Sequence, residues 1–235
     1  MTHTFLDETI AYEIFYKKRK TMGIYIDAYG GVEVRVPKDT PEERVIQLLE
    51  EKWDWIQRTT KKMKERVVGH KEKVYETGEV FQYLGDAYPI EIVQAINILQ
   101  EHVVIEGDKL IIYVQQHEDE RVKQALKRFY YQKCKALVES RIRYYQSHFK
   151  LKPRSIKITD NKSRWGSCDS NLQLTFNWKL AMAPLEVIDY IVVHEMCHMV
   201  HLNHDRSFWR LVGKMLPDYK ERESWLTQSS WKMVI

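Results

Sequence analysis

Apolar residues change their spacing three times along the chain. "IAYEIFYKK", "MGIYIDA" and "VEVRVP", between residues 10 and 37, alternate or cluster β-branched side chains, which is the two-residue period of strands. "YGG", ahead of the third, reads as a turn. Over "DTPEERVIQLLEEKWDWIQRTTKKMKER" the period lengthens. Val45, Leu48, Leu49, Trp53 and Ile56 share one helical face, Thr40 can cap, and Pro41 suits the first helical position. One amphipathic helix to about Arg66 is expected. Strands return in "VFQYLG", "YPIEIVQA", "HVVIEG" and "KLIIYVQQ", with Gly85 and Gly107 placed for hairpin turns.

From about His117 the pattern is mainly helical. Val122, Leu126, Phe129, Tyr130, Cys134, Leu137, Ile142 and Tyr145 form a long apolar stripe that Pro153 ends. "SIKITD" and "LQLTFNW" are short strands flanking "NKSRWGSCDSN". Pro184 opens another helix, and "SFWRLVGKML" and "KERESWLTQSSW" follow as two more. The expectation is an α+β protein: a β-rich portion over residues 1–116 with one amphipathic helix, then a helical portion over 117–235 that holds a short sheet.

Composition narrows the class. A chain of 235 residues with 44% hydrophobic and 12% aromatic residues can bury a substantial core. The net charge of +4 is mild, and the bunches "YKKRK" and "KKMKER" read first as solvated faces, second as surfaces for acidic substrates or phosphates. Three cysteines, Cys134, Cys168 and Cys197, argue against a disulfide framework and for a reducing compartment. No leader-like segment and no run of 18 apolar residues is seen, so a cytoplasmic protein without a membrane span is expected.

"VVHEMCHMVHLNH", Val192 to His204, carries the chemistry. His194 and His198 are one helical turn apart on one face, with Glu195 beside the first. Two imidazoles at that spacing can share one ion, and the glutamate is placed to act as general base. A third ligand has two candidates. His201 would lie about 10 Å along an unbroken helix from His194, too far for bonds near 2 Å. His204 is reached if the chain folds back, and Asn203 tolerates the left-handed conformation that ends helices. The spacing H-E-x-x-H-x5-H equals that of the metzincin signature, except that His201 stands at its glycine. His204 is therefore expected as the ligand, and His201 as a helix-end residue or outer donor. Asp205 either orients a ligand or caps the next helix, and Cys197 faces the core.

Several further residues are candidates. Arg164, in "SRWGSC", can grip a carboxylate or phosphate, or serve a loop in which Gly166 makes a turn. Arg164, Tyr219 and His201 are candidate donors to a transition-state oxyanion. "LQLTFNW" is the candidate edge strand for an extended peptide, or an ordinary sheet strand. Tyr190, Phe208, Trp209, Trp225 and Trp231 read as packing.

These blocks match a family. "SRWGSC", "NWKL", "DYIVVHEMCHMVHLNHDRSFW", "PDYK" and the earlier "GGVEVRVPKDTPEERVIQLLEEKWDWI" resemble the YgjP-like zinc metallopeptidases over about residues 8–232. The resemblance implies a zincin-like fold, Zn2+ on His194, His198 and His204, and Glu195 as base. The reaction implied is hydrolysis by a zinc-activated water, with a peptide or protein substrate. A nucleotide phosphoanhydride is the alternative substrate, and a non-catalytic zinc module that binds protein or DNA is the other alternative. The SprT-like and Spartan proteases, with a related motif, cleave proteins crosslinked to DNA, so nucleic-acid association stays open.

Overall fold

The computed structural model describes residues 1–27, 30–69, 73–161 and 164–235. Two compact units are formed, Met1–Glu72 and Lys73–Ile235.

In the first unit, β1 (Thr2–Phe5), β2 (Glu8–Tyr16), β3 (Gly23–Ile26) and β4 (Val32–Val36) form one sheet in the order β1-β2-β4-β3. The β2–β4 pair is parallel and the other pairs are antiparallel. The alternation in "VEVRV" buries Val32, Val34 and Val36, while Glu33 and Arg35 between them form an ion pair at 2.7 Å. The buried valines share one apolar cluster with Val45 and Leu49 of α1 (Glu42–Glu51) and Trp53 and Ile56 of α2 (Trp53–Gly69). The expected single helix is thus two. Lys52, at φ −110° and ψ 12°, leaves the helical basin and ends α1. Pro41, not Thr40, is the residue before the first turn, and the Thr40 hydroxyl donates to the Pro37 carbonyl at 3.0 Å. Tyr29 of the expected "YGG" turn lies outside the described residues.

Among the described residues, the second unit has two sheets and four main helices. The first sheet holds β5 (Val80–Tyr83), β6 (Asp86–Gln94), β7 (His102–Glu106) and β8 (Lys109–Val114), in the order β5-β6-β8-β7. The helix α3 (Asp119–Tyr145) follows, and its stripe of Val122, Leu126, Phe129, Tyr130 and Cys134 is buried. The second sheet holds β9 (Ser155–Thr159), β10 (Gly166–Cys168) and β11 (Gln173–Asn177), in the order β10-β11-β9. A 3-10 turn over Trp178–Met182 leads to α4 (Leu185–His198), then α5 (Arg206–Met215) and α6 (Tyr219–Ser229). No described helix is long and apolar enough to cross a membrane.

The division falls at Glu72, earlier than the expected boundary near residue 116, and packing explains it. Phe81, Tyr83, Ile90, Leu110, Ile112 and Val114 of β5–β8 sit in the same core as α3 and α4. The β5–β6 turn also holds the approach to α4. The Leu84 amide donates to the Ala181 carbonyl at 2.9 Å, and the Gly85 amide to that of Met182 at 3.0 Å. Gly85 has φ +90°, and a Cβ there would lie 2.7 Å from Pro184 Cγ. Only glycine meets both demands.

The helix α4 is locked from the side. Asp189 is buried, and Arg141 of α3 grips both its oxygens through Nε and Nη2. The Tyr145 hydroxyl donates to Asp189 Oδ2 at 3.1 Å. A carboxylate inside the core is tolerable because three donors satisfy it.

Candidate metal centre

"VIDYIVV" is apolar apart from Asp189 and every residue of it is buried, so α4 is enclosed on nearly every side. Its last two turns carry His194, Glu195 and His198. The chain leaves the helix at once: the amides of Val200 and His201 both donate to the Cys197 carbonyl, at 3.0 and 2.9 Å. No residue between Met199 and His204 has positive φ, so Asn203 does not supply the expected left-handed stop. Backbone hydrogen bonds onto the helix end make the turn instead.

That turn brings His204 back over α4. Its Nε2 lies 2.9 Å from His194 Nε2 and 3.0 Å from His198 Nε2. Tetrahedral bonds of about 2.0–2.1 Å to zinc would set such nitrogens about 3.3 Å apart. The three are the one group of histidine, cysteine and acidic residues among the described residues that could hold a metal ion.

The chemistry of the set agrees. The His198 Nδ1 lies 3.0 Å from the His201 carbonyl oxygen, which can only accept. Nδ1 therefore carries the proton, and Nε2 presents its lone pair to the centre. Burial, with the other two rings adding, pushes the His194 imidazole down to about 3. Burial also lowers His198. Three ring nitrogens converging on one place make a group that could hold a metal ion. His194 Nδ1 is buried without a hydrogen-bond partner, so His198 is the ring of α4 with a fixed tautomer.

An apolar floor closes the set from below. The Phe208 ring, in the first turn of α5, lies 4.9, 4.5 and 4.7 Å from His194, His198 and His204. Trp209 stacks on His204 at 5.7 Å, and Tyr219 stacks on Trp209 at 5.2 Å. Tyr219 thus stands one ring back from the histidines. Tyr190 meets His194 edge-on at 5.8 Å. Tyr190, Phe208, Trp209 and Trp225 do pack in the core, and the first three of them pack on the histidines themselves.

Glu195 is 5% exposed, and burial raises its carboxyl to about 8, with the positive charge of Arg164 pulling the other way. Arg164 is exposed and close enough to be felt there. Gly166 lies in strand β10, paired with Phe176, rather than in a turn. A Cβ on it would sit 2.7 Å from Glu195 Cγ and Oε1. Sequence reasoning passed over this glycine's role, since the close approach comes from an element nearly 30 positions away. Ser163, which opens the "SRWGSC" block, lies outside the described residues.

Two other candidates are turned to local work. Asp205 caps α5, its Oδ1 accepting from the amides of Ser207 and Phe208 at 2.9 Å each. His201 directs Nδ1 at Ser207 Oγ, 3.1 Å away. The strand β11 is the middle strand of its sheet, paired on both sides, so it offers no free edge. The edge strand near α4 is β10. Cys197 is buried in the core as expected, its thiol pushed up to about 12 by burial.

Among solved structures, the metallopeptidase zymogen of Pyrococcus abyssi abylysin matches 41% of this chain and 95% of its own, at 22% identity and a TM-score of 0.35. No curated protein matches. The sequence model described as YgjP-like, metallopeptidase domain, matches residues 20–229. That match takes in most of both compact units and the entire histidine helix, and the chain belongs to the YgjP-like metallopeptidase family.

Proposed function

We propose that this metallopeptidase is a zinc enzyme whose metal is held by His194, His198 and His204 and whose general base is Glu195. The convergence of three Nε2 atoms beside a buried carboxyl on the same helical turn carries the reading. A zinc ion there would polarise a scissile carbonyl and make a water nucleophilic near pH 7. The described residues offer three ligands and no fourth. A structural zinc site has four protein ligands, so the non-catalytic module is disfavoured.

The chain's own residues divide the remaining work. Glu195 takes the proton of the attacking water and passes it to the leaving nitrogen. Arg164, exposed and near Glu195, donates to the developing oxyanion or to a substrate carboxylate. Tyr219 is held back behind Trp209, and the His201 ring is engaged by Ser207, so Arg164 is the first choice of the three. The free edge of β10 can pair with an extended peptide, because Gly166 brings that strand against Glu195. The three unbridged cysteines suit the cytoplasm.

The test is turnover. Zinc-loaded protein and Glu195→Ala are incubated with pooled peptides and nucleoside triphosphates, and products are read by mass spectrometry. Peptide cuts that fall by roughly 10²–10⁴-fold in the variant and stop with a chelator are expected. Phosphate release that depends on Glu195, without peptide cuts, would move the chemistry to nucleotides.

A further inference from the structure

Asp205, Ser207 and His201 form a hydrogen-bonded chain that ends on a proposed ligand. The Ser207 hydroxyl is 2.6 Å from Asp205 Oδ1 and 3.1 Å from His201 Nδ1. An ionised carboxylate only accepts, so the serine proton goes to Asp205. The serine oxygen then accepts from His201 Nδ1–H. Asp205 Oδ1 is itself fixed by two amides of the α5 N-terminus. At the other end, the His201 amide is tied to the Cys197 carbonyl at 2.9 Å, and the His201 carbonyl accepts from His198 Nδ1 at 3.0 Å. His201 is thus held by ring and by amide, and its carbonyl is held on His198.

We propose that Ser207 and His201 are positioning residues: they fasten the turn between α4 and α5 so that the His201 carbonyl keeps His198 protonated on Nδ1, with Nε2 facing the metal. The inference rests on the zinc reading above. It assigns a use to the histidine that stands where the metzincin signature has glycine. A glycine there would supply the carbonyl but no ring, and nothing would tie that carbonyl to α5. His194, whose Nδ1 has no partner, has no such device. The contact that fixes a tautomer on α4 is the one at His198.

The experiment compares zinc affinity, by chelator competition, of the parent with Ser207→Ala, Ser207→Thr, His201→Ala and His201→Asn. Loss of a partner that orients a ligand typically costs 10–100-fold in metal affinity. Ser207→Ala and His201→Ala are expected to fall in that range. Ser207→Thr keeps the hydroxyl, and His201→Asn keeps an N–H near the place of Nδ1–H, so both should recover most of the affinity. Nitrogen-15 NMR of the metal-free proteins gives a readout that mere loosening of the turn would not restore selectively. The parent and the two conservative variants should show His198 protonated on Nδ1, and the two alanine variants a mixture of tautomers. A parent that binds no zinc overturns the zinc reading and this inference with it. A parent that binds zinc, with alanine variants of equal affinity and an unchanged His198 tautomer, overturns this inference alone.

Discussion

Gly166 separates the proposed role of Glu195 from that proposed for the three histidines. The atoms nearest to a Cβ there all belong to Glu195, and its φ is not in the left-handed region, so an alanine there is strained by contact with that side chain. Gly166→Ala is expected to displace the carboxyl group and to lower kcat/KM about 10²-fold, the typical cost of a misplacement near 1 Å. Zinc affinity should stay within about twofold of the parent. Titration of both proteins with zinc, beside peptide turnover, checks this, and a joint loss of metal would refute it. A second expectation concerns acidity in the chelator-treated protein. Burial raises the Glu195 carboxyl to about 8, above its value in an unfolded chain. The folded state therefore holds that proton more tightly, and the resulting stability is present in full below about pH 4 and lost as pH rises to about 8. Glu195→Gln carries no such proton. The metal-free variant and parent should be about equally stable near pH 4, with the variant ahead by a few kcal/mol at pH 9, since a tenfold change in proton affinity is worth about 1.4 kcal/mol. Urea unfolding at the two pH values decides it. Spacing made His194, Glu195 and His198 legible, because all three lie within two turns of one helix. Gly166 and Ser207 were not legible, since their roles arise where a strand and a second helix meet that turn.

The elements were readable where one period ran uninterrupted. The stripe from Val122 to Tyr145 became one helix, and "VEVRV" became one strand with its valines buried. Errors came where local pattern was continuous but tertiary packing was not. Lys52 breaks a face that reads as a single helix, and "LQLTFN" alternates like a half-exposed strand while both its edges are paired. A strand's neighbours are not written in its own residues. The same limit hid the partner of Asp189, which lies 48 positions away in Arg141. Asp189 stands about 140° round α4 from His194 and about 180° from His198, at about 100° per residue. Its ion pair therefore fixes the helix from the side away from the rings. Asp189→Ala should cost about 1–3 kcal/mol, mainly by leaving the buried Tyr145 hydroxyl without its acceptor, because the part-buried Arg141 can still reach water. Replacing both partners of that hydrogen bond, Asp189 and Tyr145, with apolar residues of similar size should recover most of that loss. Denaturant unfolding of the single and double variants tests the pair, and a single variant within 0.5 kcal/mol of the parent would show that the bridge does little.

At the scale of the whole molecule, the question is where the unit that holds the candidate metal centre begins. Strand and helix patterns change character near residue 116, which makes that point look like a boundary. The core runs through it. Phe81, Tyr83, Ile90, Leu110, Ile112 and Val114 are buried with α3 and α4, and Gly85 sits against Pro184 at the start of the histidine helix. Burying one large apolar side chain is worth about 1.5–3 kcal/mol. Removing six of them would forfeit on the order of 10 kcal/mol, comparable with the 5–15 kcal/mol of roughly typical domain stability. A chain of residues 73–235 should therefore fold cooperatively and bind zinc, because its apolar cluster is complete without the first unit. A chain of residues 117–235 should fail to do either, although it contains every proposed ligand, Glu195, Gly166 and Ser207. Thermal unfolding and zinc titration of the two fragments put the boundary to the test. Cooperative unfolding and zinc binding by the shorter fragment would mean that the first sheet of this unit is an accessory to the site rather than part of its foundation.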